Sequence, residues 1–158
     1  MSKYYLNALT KFGLLSVVIF VTASSSVRAQ SLHYKLRANI PFDFTVIDKN
    51  LPAGEYEVGR AVPSSGDLVL SIRNAAGMSE LPFTNPVQAF EPARTGKLVF
   101  HRYGDHYFLV QVWPAGATTG RAIPKSRQEL EIERHGLART VRDGSNSVEI
   151  VSVAVASN

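Results

Sequence analysis

The sequence predicts a mostly β domain, either a small antiparallel barrel or a sandwich of about 7–9 strands, with one short helix near Ser126–His135. Three observations lead there. Short runs rich in β-branched and aromatic residues recur at near-regular spacing, divided by Gly, Pro, Asn and Asp turns. A strict apolar–polar alternation runs from Tyr34 to Val46. A hairpin from Lys97 to Trp113 carries apolar residues on both of its faces.

The first 29 residues read as an address rather than as part of the domain. Lys3 and Lys11 supply a basic start, Phe12 to Ala23 an apolar run, and Val27-Arg28-Ala29 the small residues before a cleavage site. Cleavage between Ala29 and Gln30 leaves a single domain, residues 30–158. A permanent membrane span needs about 20 apolar residues, more than this run offers. Removing the leader takes Lys3, Lys11 and Arg28 with it, so 14 of the 17 basic residues remain against 13 acidic ones. A net charge near +1 is no footprint for nucleic acid. The absence of cysteine excludes disulfides, thiol catalysis and thiolate metal sites. An exported domain held by its core alone suits a bacterial periplasm, cell surface or medium.

In chain order, Leu36, Ala38, Ile40, Phe42, Phe44 and Val46 alternate onto one face. Pro41, which cannot donate to a ladder, marks an edge or a break into two strands. Asp48-Lys49-Asn50 reads as a turn, and Leu51-Pro52-Ala53-Gly54 as a second bend before a strand at Glu55–Val58. Further strands are expected at Leu68–Arg73 and Glu80–Thr84. Residues 85–96 read as a crossing linker, with Phe90 tucked inward. The hairpin turns at Gly104-Asp105, glycine being suited to the first position of a two-residue loop. That register sets Tyr103 against His106, His101 against Phe108, Val99 against Val110, and Arg102 against Tyr107. Pro114 to Gly120 reads as a loose tip. Ser126 and Glu129 fit a capping box and Gly136 a C-terminal cap, which favours a helix over a strand there. In that helix Glu129, Glu131 and Glu133 read as a solvated face. Val148–Val155 closes the chain as a β-branched strand.

Reactive motifs are scarce. No nucleophile elbow, P-loop, zinc-protease helix or dinucleotide loop occurs, and nothing calls for a cofactor. His101 and His106 share a hairpin face and make a weak metal pair, short of the usual three or four ligands. Arg102, Tyr107 and Trp113 fall on one face of that hairpin and form a candidate ligand platform by cation–π contact or stacking. The plainer reading of that trio is core aromatics with an arginine lying over them.

The stretches Phe42-Asp43-Phe44, Leu51 to Tyr56, Lys97 to Gly104 and Pro124 to Arg127 resemble those of a family of short, signal-bearing bacterial exported proteins. The resemblance spans Leu36 to Arg134. It implies an exported β-rich domain and carries no activity or site residue with it. The expected role is a non-catalytic module of the envelope or the cell exterior. Its partner would be an envelope glycan, a small hydrophobic ligand or another envelope protein. The alternatives are an enzyme with an unrecognised site near His101 and His106, or a self-assembling envelope or matrix component.

Overall fold

The computed structural model describes residues 35–62, 64, 66–143 and 148–157. The expected leader and its expected cleavage site at Ala29 and Gln30 lie outside them. Leu32–Asn158 forms one compact unit. Its strands are β1 (Lys35–Ile40), β2 (Phe44–Val46), β3 (Lys49–Leu51), β4 (Gly54–Arg60), β5 (Leu70–Asn74) and β6 (Ser79–Glu80). They continue with β7 (Asn85–Gln88), β8 (Gly96–Tyr103), β9 (His106–Trp113) and β10 (Thr119–Ala122). Helix α1 (Arg127–Asp143) then precedes β11 (Glu149–Ser157). Nine strands follow one another round a nearly closed barrel in the order β3-β2-β9-β8-β11-β1-β4-β5-β6. The pair β10 and β7 branches from β9.

Side chains bridge the seam between the two end strands. Lys49 Nζ on β3 donates to the Ser79 carbonyl at 2.8 Å and sits 3.7 Å from the Glu80 carboxylate on β6. Inside the barrel, Leu36, Ile40, Phe44, Tyr56, Phe100 and Leu109 pack as one core. Phe44 meets Tyr56 and Phe100 edge to face, at 5.0 and 5.6 Å between ring centroids. Interdigitated side chains fill the interior of this small barrel, as its strand number permits. Among the described residues no helix is long and apolar enough to cross a membrane.

The expected break at Pro41 is present: β1 ends at Ile40 and β2 begins at Phe44. The turn after β2 sits earlier than the sequence suggests, at Ile47 and Asp48, and Lys49 and Asn50 belong to β3. Ile47 adopts φ 57°, a left-handed conformation unfavourable for a β-branched residue. Its side chain packs against the core, which holds it there.

Residues 85–96 are more than a linker, because β7 pairs with β10 from Asn85↔Ala122 to Gln88↔Thr119. Phe90 is not tucked inward; it is fully exposed. Nor is the stretch after Trp113 loose. Gly116 N–H donates to the Ala93 carbonyl at 2.7 Å, and Ala93 N–H to the Ala117 carbonyl at 3.0 Å. Helix α1 runs past Gly136, since one interior glycine costs about 1 kcal/mol and good helix formers follow it.

Candidate functional site

The hairpin β8–β9 turns at Gly104-Asp105, with Gly104 at φ 62°. Tyr103↔His106, Arg102↔Tyr107, His101↔Phe108 and Phe100↔Leu109 pair as expected. Beyond Leu109 the register shifts: Val99 faces Gln111, not Val110, and Leu98 faces Val112. Val110 is the extra residue, and its carbonyl accepts the Ile123 N–H at 2.8 Å. A bulge inverts the parity of every side chain after it. Tyr107, Leu109 and Val112 therefore face the barrel, whereas Phe108, Val110 and Trp113 face outward.

That inversion divides the expected Arg102–Tyr107–Trp113 platform. Arg102 lies over the Tyr107 ring, 5.5 Å from its centroid, and Tyr107 stacks on Phe42 at 3.9 Å. Arg102 also bonds Glu149 at 3.0 Å and the Gly104 carbonyl at 2.8 Å. Trp113 is on the other side of the sheet, buried with Val99, Phe108 and Val110. Its Nε1–H donates to Gln111 Oε1 at 2.8 Å. The three side chains do not converge on one ligand. Gly120 of β10 lies so close under Trp113 that a β-carbon there would stand 2.5 Å from the indole.

The outer hairpin face is covered by α1, whose Ile132 packs against the Trp113 cluster. Ser126 caps the helix: its Oγ accepts the Glu129 N–H at 3.0 Å, and its carbonyl the Leu130 N–H at 3.1 Å. Glu129 is the departure from expectation. Instead of lying on a solvated face it is 2% exposed. Its Oε1 accepts from His101 Nδ1 at 2.7 Å and from the Tyr103 hydroxyl at 3.3 Å. The reciprocal half of the capping box gives way to these two tertiary bonds.

This arrangement is chemically consistent. A buried carboxylate needs donors, and His101 and Tyr103 supply them. The third helical position also sets its charge against the positive end of the α1 dipole. Tyr103 responds in turn: burial, then the negative charges of Glu129 and Glu133, push its hydroxyl well above the ordinary phenol range. It stays a protonated donor at neutral pH. An imidazole oriented by a carboxylate is also half of an acid–base pair. Catalysis by such a pair needs a nucleophile or substrate atom within reach, and no hydroxyl side chain bonds His101 among the described residues. His106 is exposed beside the turn, and no group of three His, Asp or Glu gathers there or elsewhere among the described residues.

A second polar cluster, which composition and spacing did not signal, lies where β4, β5, β7 and β10 end together. Arg121 of β10 is 9% exposed. Its Nε donates to Thr84 Oγ1 at 3.0 Å and its Nη2 to the Thr84 carbonyl at 3.1 Å. Thr84 donates its own hydroxyl to the Asp67 carbonyl at 2.6 Å, while the Asp67 carboxylate accepts from Arg60 Nε at 2.8 Å. Outside the barrel, a surface recess of roughly 270 Å³ is lined by Arg37, Glu57 and Arg73 among others. Glu57 there binds Arg73 at 3.2 Å and Lys35 at 3.5 Å.

No family model, no curated protein and no solved structure matches this chain.

Proposed function

We propose that the chain is an exported, non-catalytic β-barrel module of the bacterial envelope or cell exterior, which binds its partner through its outer surface. The observation that carries this reading is the use already made of the interior and of the reactive side chains. Phe44, Tyr56 and Phe100 occupy the barrel, where a small hydrophobic ligand would otherwise sit. The His101–Glu129–Tyr103 group joins α1 to the hairpin. An envelope glycan or another envelope protein is then the fitting class of partner, met at surfaces such as the exposed Phe83 and Phe90. The leader and the absence of cysteine support the exported setting.

Native mass spectrometry of the protein isolated from its own source tests the reading. The expected species starts at Gln30, has no small hydrophobic molecule inside it, and is accompanied by a glycan or protein partner. The second reading, an enzyme, has one observation in its favour: His101 is oriented by a buried carboxylate. Turnover of any substrate that disappears in His101→Ala, while the variant stays folded, would replace the binding reading with that one.

A further inference from the structure

We infer that Arg121 is the anchor of an oxyanion-binding site at the end of the barrel, taking a carboxylate or phosphate group. This inference rests on the binding reading above and names a ligand chemistry for it. Arginine remains charged under all ordinary conditions, and a buried charge is normally paired. Arg121 is nine-tenths buried, yet both of its hydrogen-bond acceptors belong to the neutral Thr84. No carboxylate among the described residues lies within ion-pair distance of it, and its Nη1 has no partner among them.

The nearest acidic side chain in this network does not supply the missing charge. Asp67 directs its carboxylate to Arg60 and reaches Thr84 through its backbone carbonyl. The Asp67 carboxylate is thus engaged by Arg60, and Arg121 keeps its buried charge without a carboxylate partner among the described residues. Burial without a counter-charge is costly, and an oxyanion gripped by the guanidinium fork removes that cost. Thr84 holds two of the five N–H groups of the fork and so fixes its plane, leaving both N–H groups of Nη1 and the second of Nη2 to face a ligand. Asp67 is partly exposed and Leu68 exposed beside it, so the cluster borders solvent through the β4–β5 connection. The outer recess differs: two carboxylates, Glu55 and Glu57, line it beside Arg37 and Arg73, and Arg73 is largely exposed to water.

The test is thermal unfolding of the full mature chain in a zwitterionic buffer, with sodium phosphate or sodium acetate added at constant ionic strength against sodium chloride. The wild-type melting temperature should rise above the chloride reference by about 4 °C or more at tenfold excess over Kd. The larger rise identifies phosphate or carboxylate as the group preferred. Arg121→Met should lose the rise, and Arg73→Met should keep it. If Arg121→Met does not fold, Arg121→Lys serves, since it retains the charge without the fork and should bind about tenfold more weakly. A wild type that melts alike in all three salts overturns the site, as does a rise that survives in Arg121→Met or Arg121→Lys unchanged. Either result leaves the binding reading standing, because that reading falls to turnover lost with His101.

Discussion

The two faces of the β8–β9 hairpin are both covered, but by different means. The inner face meets the barrel core through Leu98, Phe100, Leu109 and Val112, all apolar and fully buried. The outer face meets α1 and β10 through Val99, Phe108, Val110 and Trp113, with a buried carboxylate and an imidazole beside them. At these four positions the inner face is held by apolar burial without a hydrogen-bonding side chain, and non-directional burial tolerates repacking. The outer face depends on geometry: a cap at Ser126, two donors on Glu129, and a glycine small enough to lie under an indole. A hydrophobic face can be deep and undemanding, whereas a mixed face is shallower and exacting.

The largest effect should come from the inner face. Phe100→Ala should cost about 3–5 kcal/mol in urea unfolding, because the ring touches Phe42 and Phe44 and leaves a cavity among them. On the outer face, Gly120→Ala should cost roughly 1–3 kcal/mol, since the added methyl must displace the Trp113 ring. A quenched or shifted tryptophan fluorescence should accompany it, there being a single tryptophan in the chain. A Gly120→Ala variant as stable as wild type would mean that the outer face yields as readily as the inner one.

Both the hairpin and its cover were partly legible in the sequence. Gly104-Asp105 announced the turn because few residues accept its positive φ, and Pro41 announced the break because it lacks an N–H. The bulge at Val110 was not legible. Phe108, Leu109 and Val110 are all apolar, so alternation there cannot say which residue is extra, and the misplacement of Trp113 follows from that ambiguity. Glu129 was hidden for a related reason. Glu129, Glu131 and Glu133 look alike as charges on a helix, and the distinguishing signal is spacing: Glu129 lies three residues before Ile132, on the face that packs. Arg121 lay in a stretch read as following a loose tip, and its burial arises from β7 and β10, strands the linker reading did not include.

The smallest expected effect concerns pH. The Tyr103 hydroxyl titrates higher in the folded chain than its ordinary value of 10.0, so its contribution to stability is complete below about pH 10 and is lost as pH rises above that. Burial raises the Tyr56 hydroxyl in the same sense. Tyr103→Phe should therefore lessen the alkaline fall in melting temperature between about pH 10 and 11 without abolishing it. An alkaline fall identical to that of wild type would place Tyr103 outside the buried group.

The distinction between the two faces rests on the bond between His101 and Glu129, 2.7 Å long and joining α1 to the sheet. Urea unfolding of wild type, His101→Ala, Glu129→Ala and the double variant measures it as a double-mutant cycle. A coupling of about 1 kcal/mol or more, with α1 amides exchanging faster in each single variant, is the expected result. Costs that add to within about 0.5 kcal/mol, with α1 protection unchanged, would contradict a polar group that secures the helix.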